Sequence, residues 1–354
     1  MERLRNLDYL RGLAASGIML YHFLTFTFGG FTAGDLMGRV SIYGVAVFYV
    51  LSGLTLFLVY SERMKPSRRD VQEFLRKRFF RIFPLFWLAT IVSVPLFVPE
   101  VTWYRLLFNL TGIFGLISWS SPVAIGGWSI GNELVFYLFF IVFIFLLKRS
   151  KLLFIILSIF LCACFLYFAF IRIDPGATLH AFRTDYVNPL NQVFLFLGGF
   201  LIGYLFRKRH LSPVLCYTLL FASLFTFIFY PVEGDTILLI TGFNRIIFSV
   251  ACFAICLAFF KMEFRLPRLP DRALRKLGEM SYSVYLLHPI VYALVGILLK
   301  TAAGWGYHSP ESVRFFLAVV VTYCLSYVVY KYVEMYFMKM GHRSSSADLP
   351  AHST

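Results

Sequence analysis

Long apolar runs recur along the whole chain and are separated by short segments that hold most of the Lys and Arg residues. The runs are roughly 17 to 25 residues long, the length that an α-helix needs to cross about 30 Å of hydrocarbon. They lack the sustained polar and apolar alternation of a membrane β-barrel, so the pattern predicts an all-α polytopic integral membrane protein. We place about ten transmembrane helices at approximately 7–28, 40–60, 82–98, 128–147, 152–171, 191–206, 212–230, 236–260, 283–301 and 313–334.

The composition supports this interpretation and excludes a water-soluble fold. Apolar residues make up 59% of the chain and charged residues only 14%, which is more apolar and less charged than soluble domains are. All six cysteines fall within predicted spans, and none has the spacing of a metal site, so we interpret them as packing residues and predict no metal. No signal-peptide cleavage site follows the first apolar run, so we expect that helix to be retained.

Basic residues predict the orientation of the chain. Clusters of Lys and Arg occur in every second loop, and an amino terminus inside the cell places most of the 33 Lys and Arg residues in the cytoplasm. Both termini are then cytoplasmic, and the predicted location is the cell (inner or plasma) membrane. The net charge of +15 is divided among short loops beside spans, which indicates contact with membrane lipids and no nucleic-acid partner. We predict a transmembrane domain at 1–340 and a disordered cytoplasmic tail at 341–354.

A few ionisable residues lie within or at the edges of the spans, where a charge costs roughly 2.5 kcal/mol or more. Any one of them could be a helix-packing hydrogen bond or a snorkelling end group, so their arrangement has to decide between structure and function. They are Asp8, Arg11, His22, Arg78, Arg81, Glu133, Arg245 and His288.

Arg11 and His22 lie within about 20° of one helix face and about 16 Å apart along its axis. With the amino terminus inside, Arg11 is near the cytoplasmic end of the first span and His22 near its outer end. Glu133 follows Trp128 on a helix that enters from outside, so we expect it about 7 Å below the outer boundary, close to His22 in depth. A carboxylate that accepts a proton from one imidazole nitrogen raises the basicity of the other, as a general base requires.

Arg78 and Arg81 lie three residues apart near the cytoplasmic surface, on one side of a helical segment. Guanidinium groups in this position could hold phosphates. The alternative is a basic collar that only sets topology, with aromatic residues as membrane anchors. The presence of Arg11 at the same depth favours phosphate binding.

Five motifs occur in order along the chain. They are Asp8–Ala15 followed by His22, Gly44–Leu54, Arg78–Pro84, Trp128–Tyr137 and Ser281–Pro289. Together they resemble the membrane-bound acyltransferase family 3, whose span number also fits nearly the whole chain. The departures are Ala46, where relatives often carry a polar residue or proline, and Leu54, where phenylalanine is common. Both departures leave the Arg, His and Glu positions of the motifs intact, so they bear on the subgroup and the substrate more than on the reaction.

The resemblance implies transfer of an acyl group, usually acetyl, from cytoplasmic acyl-coenzyme A to a hydroxyl of a surface or lipid-linked glycan. Our hypothesis is that Arg11, Arg78 and Arg81 bind the phosphates of the coenzyme. His22, assisted by Glu133, would then deprotonate the acceptor hydroxyl, and an acyl-histidine intermediate is the less favoured variant.

Other polar residues receive supporting roles. We assign Tyr285 and His288, which lie near the cytoplasmic end of their span, to the lining of the donor site or to packing. We expect the Ser52 hydroxyl to bond a backbone carbonyl and Arg245 to support the pathway or pair with Asp8. The other members of the supporting set are Trp128, Ser129 and Tyr137.

Two other classes of protein are compatible with intramembrane charges. A transporter would use them as a substrate pathway, but the chain has no matching halves, and its charges crowd into the first 137 positions. A membrane component that only presents glycans to a soluble partner would not need His22. The sequence indicates neither the acceptor nor the oligomeric state.

Overall fold

The computed structural model describes residues 5–263, 266–304 and 310–343, and all regular structure within these ranges is helical. The helices of the first half are α1 (Arg5–Phe28), α2 (Leu36–Tyr60), α3 (Arg68–Phe97), α4 (Trp103–Thr111), α5 (Phe114–Ile117), α6 (Gly127–Arg149) and α7 (Lys151–Tyr167). The helices of the second half are α8 (Arg183–Tyr186), α9 (Pro189–Phe206), α10 (Pro213–Phe229), α11 (Gly242–Lys261), α12 (Arg268–Glu279), α13 (Ser281–Gly304), α14 (Glu311–Val329) and α15 (Met335–Arg343).

Each predicted span coincides with a helix, and the all-α polytopic prediction is confirmed. Within the described ranges, eight helical segments are long and apolar enough to cross a membrane, compared with the ten predicted. The two that fall below this standard are α1 and α10. The first carries charged residues that lower its hydropathy, and α10 is a 17-residue helix. The eight are Leu36–Tyr60, Arg68–Phe97, Gly127–Arg149, Lys151–Arg172, Arg183–Phe206, Gly242–Lys261, Ser281–Gly304 and Glu311–His342.

The third span begins about four turns earlier than its apolar run. Its helix α3 is 30 residues long, and the side chain of Ser67 caps it by accepting a hydrogen bond from the backbone of Asp70. Hydropathy misses these first turns because they are rich in Arg and Lys. Arg78 and Arg81 therefore lie inside a continuous helix.

A short amphipathic helix, α12, packs against the start of α1 in a segment that the hydropathy pattern treats as a basic loop. The two backbones touch, because a Cβ atom added to Gly278 would lie 2.1 Å from the carbonyl oxygen of Asp8. The hydroxyl of Tyr9 donates a hydrogen bond to Asp271 on α12. This bond, helped by the charge of Arg275, lowers the pKa of the Asp271 carboxyl.

The predicted domain boundary at residue 340 falls inside a helix. α14 continues through a π-helical turn at Tyr330–Glu334 into α15, which runs to Arg343. Residues 341–343 of the predicted tail are therefore helical, and the rest of it, 344–354, lies outside the described residues.

Helices α2 and α9 approach each other through facing glycines. A Cβ on Gly199 would lie 1.9 Å from the carbonyl oxygen of Val50, and a Cβ on Gly53 would lie 2.0 Å from that of Phe196. Small residues allow this proximity, which provides the close van der Waals packing on which helix association in a membrane depends.

We expect Gly199→Ala to lower the stability of the purified protein by about 1 to 3 kcal/mol, because the methyl group must push α2 and α9 apart. Thermal unfolding can be followed with a thiol-reactive dye, since Cys252 and Cys256 are buried free cysteines. The matched control is Gly30→Ala, where an added Cβ would have no atom within 4 Å. Equal melting temperatures for the two variants would contradict this account of the contact.

Candidate active site

A cavity of about 90 Å³ lies among α1, α2, α3, α6 and α13, and its wall combines cationic, hydroxyl and carboxylate groups with apolar ones. It is lined by seven of the predicted site residues, which come from all five sequence motifs. They are Arg11, Ser52, Arg78, Arg81, Ser129, Glu133 and Tyr285.

Arg11 is fixed by two neighbours. Its Nη1 lies 3.3 Å from the carboxylate of Asp8, one turn earlier on α1, and its Nη2 donates a 2.9 Å hydrogen bond to the Thr55 hydroxyl on α2. Asp8 itself is buried. Asp8 and Thr55 therefore hold the guanidinium against the cavity, and Thr55 is a contact that the sequence analysis did not select.

Arg78 is sheltered by aromatic rings. Its guanidinium carbon lies 5.7 Å from the ring centres of Tyr60 and Phe74 and 5.8 Å from that of Tyr137. Nη2 also donates to the Tyr60 hydroxyl at 3.3 Å, whereas the buried Nε has no hydrogen-bond partner. Ring faces stabilise a cation without neutralising its charge.

Arg81 lies one turn further along α3, and its side chain is exposed. It forms no hydrogen bond or ion pair with any other residue that the structure describes, and Arg78 has no carboxylate partner among them either. The two guanidiniums therefore leave positive charge at one end of the cavity, available to an anion.

Glu133 accepts two hydrogen bonds at the same oxygen. The Tyr137 hydroxyl donates to Oε1 at 2.6 Å, and the Ser52 hydroxyl donates to it at 3.2 Å. The predicted bond from Ser52 to a backbone carbonyl is therefore wrong, because its hydroxyl donates to Glu133. The carboxylate is thus held in place beside the arginines.

His22 does not bond to Glu133. Its Nδ1 instead lies 2.8 Å from Nε2 of His288, so the expected imidazole–carboxylate pair is wrong and a histidine pair takes its place. The expected position of His288, nearer the donor end than His22, is wrong for the same reason. Phe26, one turn further on α1, stacks on the His22 ring at 5.6 Å between centroids.

Tyr285 connects the cavity with the histidine pair. It lines the cavity, its hydroxyl bonds the Gly126 carbonyl at 3.0 Å and the Ser129 hydroxyl at 2.8 Å, and its ring lies 6.1 Å from that of His288. Trp128 does not line the cavity; its ring packs beside that of Tyr186 at 5.5 Å.

Arg245 lies away from the cavity, and the expected pairing with Asp8 is wrong. Its Nη2 donates a 2.8 Å hydrogen bond to the carbonyl oxygen of Asn191, and its guanidinium carbon lies 4.8 Å from the ring centre of Phe165 and 5.4 Å from that of Phe194. Arg245 thus joins α11 to α9 and does not contact the cationic cavity.

The fold and the site define a polytopic membrane protein with a cationic cavity enclosed by its helices. The chain belongs to the family described as acyltransferase domain, which matches residues 4–331 and confirms the resemblance seen in the motifs. No solved structure matches the chain.

Two curated relatives cover nearly all of this chain. O-acetyltransferase OatA of Staphylococcus aureus (strain NCTC 8325 / PS 47) is 26% identical over 375 residues, covering 96% of this chain and 58% of that protein. Exopolysaccharide production protein ExoZ of Rhizobium meliloti (strain 1021) is 27% identical over 340 residues, covering 91% of this chain and 95% of that protein. The chain therefore spans a little over half the length of OatA and nearly all of ExoZ.

We expect Arg245→Ala to destabilise the protein by about 2 kcal/mol, because the hydrogen bond to the Asn191 carbonyl and the packing of the guanidinium on Phe165 and Phe194 are both lost. The acyl transfer expected from the family, measured per folded molecule below the melting temperature, should match the wild type because Arg245 does not line the cavity. Thermal unfolding measures the loss of stability, and transfer of radiolabel from acyl-coenzyme A by the same preparation measures activity. A stable variant with a much lower rate would place Arg245 on the reaction path.

Proposed function

We propose that the protein is a membrane O-acyltransferase that moves an acyl group, acetyl in the simplest case, from acyl-coenzyme A to a hydroxyl of a glycan or lipid-linked saccharide. Family membership and the O-acetyltransferase activity for which OatA is named support the reaction class, and the exopolysaccharide production for which ExoZ is named supports a polysaccharide acceptor. The observation that carries the proposal is the cavity in which Arg78 and Arg81 lack a carboxylate partner among the described residues.

The donor fits the chemistry of this cavity. Arginine forks suit bidentate contacts with phosphate oxygens, and Arg11, Arg78 and Arg81 all line the same space. A cavity of about 90 Å³ is too small for the whole coenzyme, so we place the bulky nucleotide at its cytoplasmic mouth.

His22 serves as the general base. Its free imidazole nitrogen takes the proton of the acceptor hydroxyl while the hydroxyl oxygen forms an ester bond to the acyl carbon and the carbon–sulfur bond breaks. His22 then returns this proton to the thiolate sulfur, so one ester and one free thiol are formed. In the acyl-histidine variant, the same nitrogen would attack the acyl carbon first.

Glu133 has a different task from the one expected, since it does not contact His22. Its carboxylate lines the same cavity as three guanidiniums and is anchored by Ser52 and Tyr137. We infer that it balances their repulsion and keeps the cavity organised.

His22→Ala should reduce acyl transfer by about 10²- to 10⁴-fold, the usual contribution of a general base. The measurement is transfer of radiolabel from acyl-coenzyme A to oligosaccharide acceptors by purified protein in lipid vesicles. Wild-type transfer by a stably inserted His22→Ala variant would refute the mechanism. A wild type that binds no acyl-coenzyme A but moves a solute across the vesicle membrane would support the transporter alternative.

Glu133→Gln should lower turnover by about tenfold, less than the histidine variant does. Both hydrogen bonds to Glu133 end on Oε1, and a Gln oxygen in that position can still accept them, so the substitution removes mainly the charge. The same radiolabel assay measures this effect. Full activity would show that the carboxylate charge is dispensable.

Arg81→Gln should raise the KM for acyl-coenzyme A about tenfold or more, because a charge-assisted phosphate contact is worth roughly 1.5 to 3 kcal/mol. The matched control is Arg172→Gln, which removes an arginine paired with Asp185 at 2.9 Å in a partly exposed site outside the cavity. Steady-state kinetics with varied acyl-coenzyme A measures both variants. Equal KM values would argue against phosphate binding by Arg81.

The orientation and location form part of the same proposal. Both termini face the cytoplasm of a multi-pass protein in the cell membrane, which gives the arginine end of the cavity access to soluble acyl-coenzyme A. The histidine pair is then on the acceptor side.

A further inference from the structure

We infer that His288 is a positioning residue that fixes the tautomer of His22 and leaves Nε2 of His22 as the reactive nitrogen. This inference deepens the proposed function and rests on it for the chemistry. It depends on one continuous line of hydrogen bonds from α13 to α1.

The proton positions follow from the backbone. Nδ1 of His288 lies 3.0 Å from the carbonyl oxygen of Val284, and a carbonyl can only accept, so this nitrogen carries the hydrogen. In a neutral ring the other nitrogen, Nε2, is then an acceptor. It lies 2.8 Å from Nδ1 of His22, which must therefore be the donor. The remaining nitrogen of His22, Nε2, keeps its lone pair.

Neutral rings are required by the surroundings of His288. Its side chain is 1% exposed, and it forms no ion pair with a carboxylate in the described part of the chain. A buried charge without a partner is costly, so the His288 ring is neutral, and the resting His22 ring is neutral because a general base needs an unprotonated nitrogen.

The neighbouring packing fixes the ring planes as well as the protons. The His22 and His288 rings are nearly parallel, at 18°, and the Phe26 ring stacks on the His22 ring at 15°. One turn further along α1, the Thr27 hydroxyl lies 2.7 Å from the Tyr292 hydroxyl of α13. The two helices are thus tied at successive turns, which opposes a flip of the His22 ring.

His288 has a role that a carboxylate would not fulfil in the same way. A carboxylate would orient His22 and also attract a proton to the pair by its charge, whereas a neutral imidazole orients the ring through a single acceptor atom. The activity of a His288 variant should therefore depend on whether the new side chain can accept a hydrogen bond from His22.

The test compares His288→Leu with His288→Gln. Leu removes the acceptor, and Gln can place an amide oxygen near the position of the imidazole Nε2. We expect His288→Leu to lower kcat about 100-fold with an unchanged KM for acetyl-coenzyme A, and His288→Gln to recover activity to within about tenfold of the wild type. Equal loss in both variants, or a wild-type kcat in His288→Leu, would overturn the inference.

A spectroscopic measurement tests the tautomer without relying on activity or on the stability of the Leu variant. In wild-type protein labelled with ¹⁵N at the imidazole nitrogens, the His22 signals are identified by their loss in His22→Gln. Protonated Nδ1 and unprotonated Nε2 are expected, and the reverse pattern would overturn the assignment. If wild-type protein transfers no acyl group at all, the proposed function fails, and the ¹⁵N pattern still decides whether His288 fixes the tautomer.

Discussion

The cost of placing ionisable groups in hydrocarbon determines how this molecule is built. Helix α1 carries Asp8, Arg11 and His22, and it packs against α2, α11, α12, α13 and α14. Each of these three side chains has a partner within the protein: Asp8 and Arg11 pair with each other, and His22 contacts His288. This helix, which carries ionisable groups inside its span, is therefore central, and the strongly apolar helix α7 exposes much of its surface.

Aromatic rings pack against guanidinium groups in two different settings in this fold. The rings around Arg78 stabilise a guanidinium that lines the cavity and remains able to bind an anion. The rings of Phe165 and Phe194 enclose Arg245, whose hydrogen bond goes to a neighbouring helix. A buried arginine in a sequence is thus ambiguous between a binding site and a structural link. The two roles differ in whether the guanidinium lines a cavity, as that of Arg78 does, and hydropathy does not predict this.

Hydropathy predicted where the helices lie and which polar residues were unusual, and the motifs predicted that the three arginines belong together. The pairing of His22 was not predictable in the same way. Depth along a helix is counted from the ends of apolar runs, but α12 packs along the start of α1, with Gly278 against Asp8 and Gly12, so α13, which begins at Ser281, starts well inside the end of α1. Residues at different counted depths therefore meet. Depth along a helix does not determine which neighbour a side chain faces. The contact of Glu133 with the arginine cavity and that of His288 with His22 were therefore not predictable from depth.

One face of α13 joins the two parts of the site. Tyr282, Tyr285, His288 and Tyr292 follow one another at helical spacing, and each bonds a different group outside α13. Because the hydrocarbon offers no competing partners, such bonds set the rotation of a helix as well as its position. Tyr285 lines the arginine cavity, and His288 lies one turn beyond it beside His22. A rotation of α13 would therefore disturb the arginine cavity and the position of His22 together, so the packing of this helix couples the two ends of the proposed reaction path.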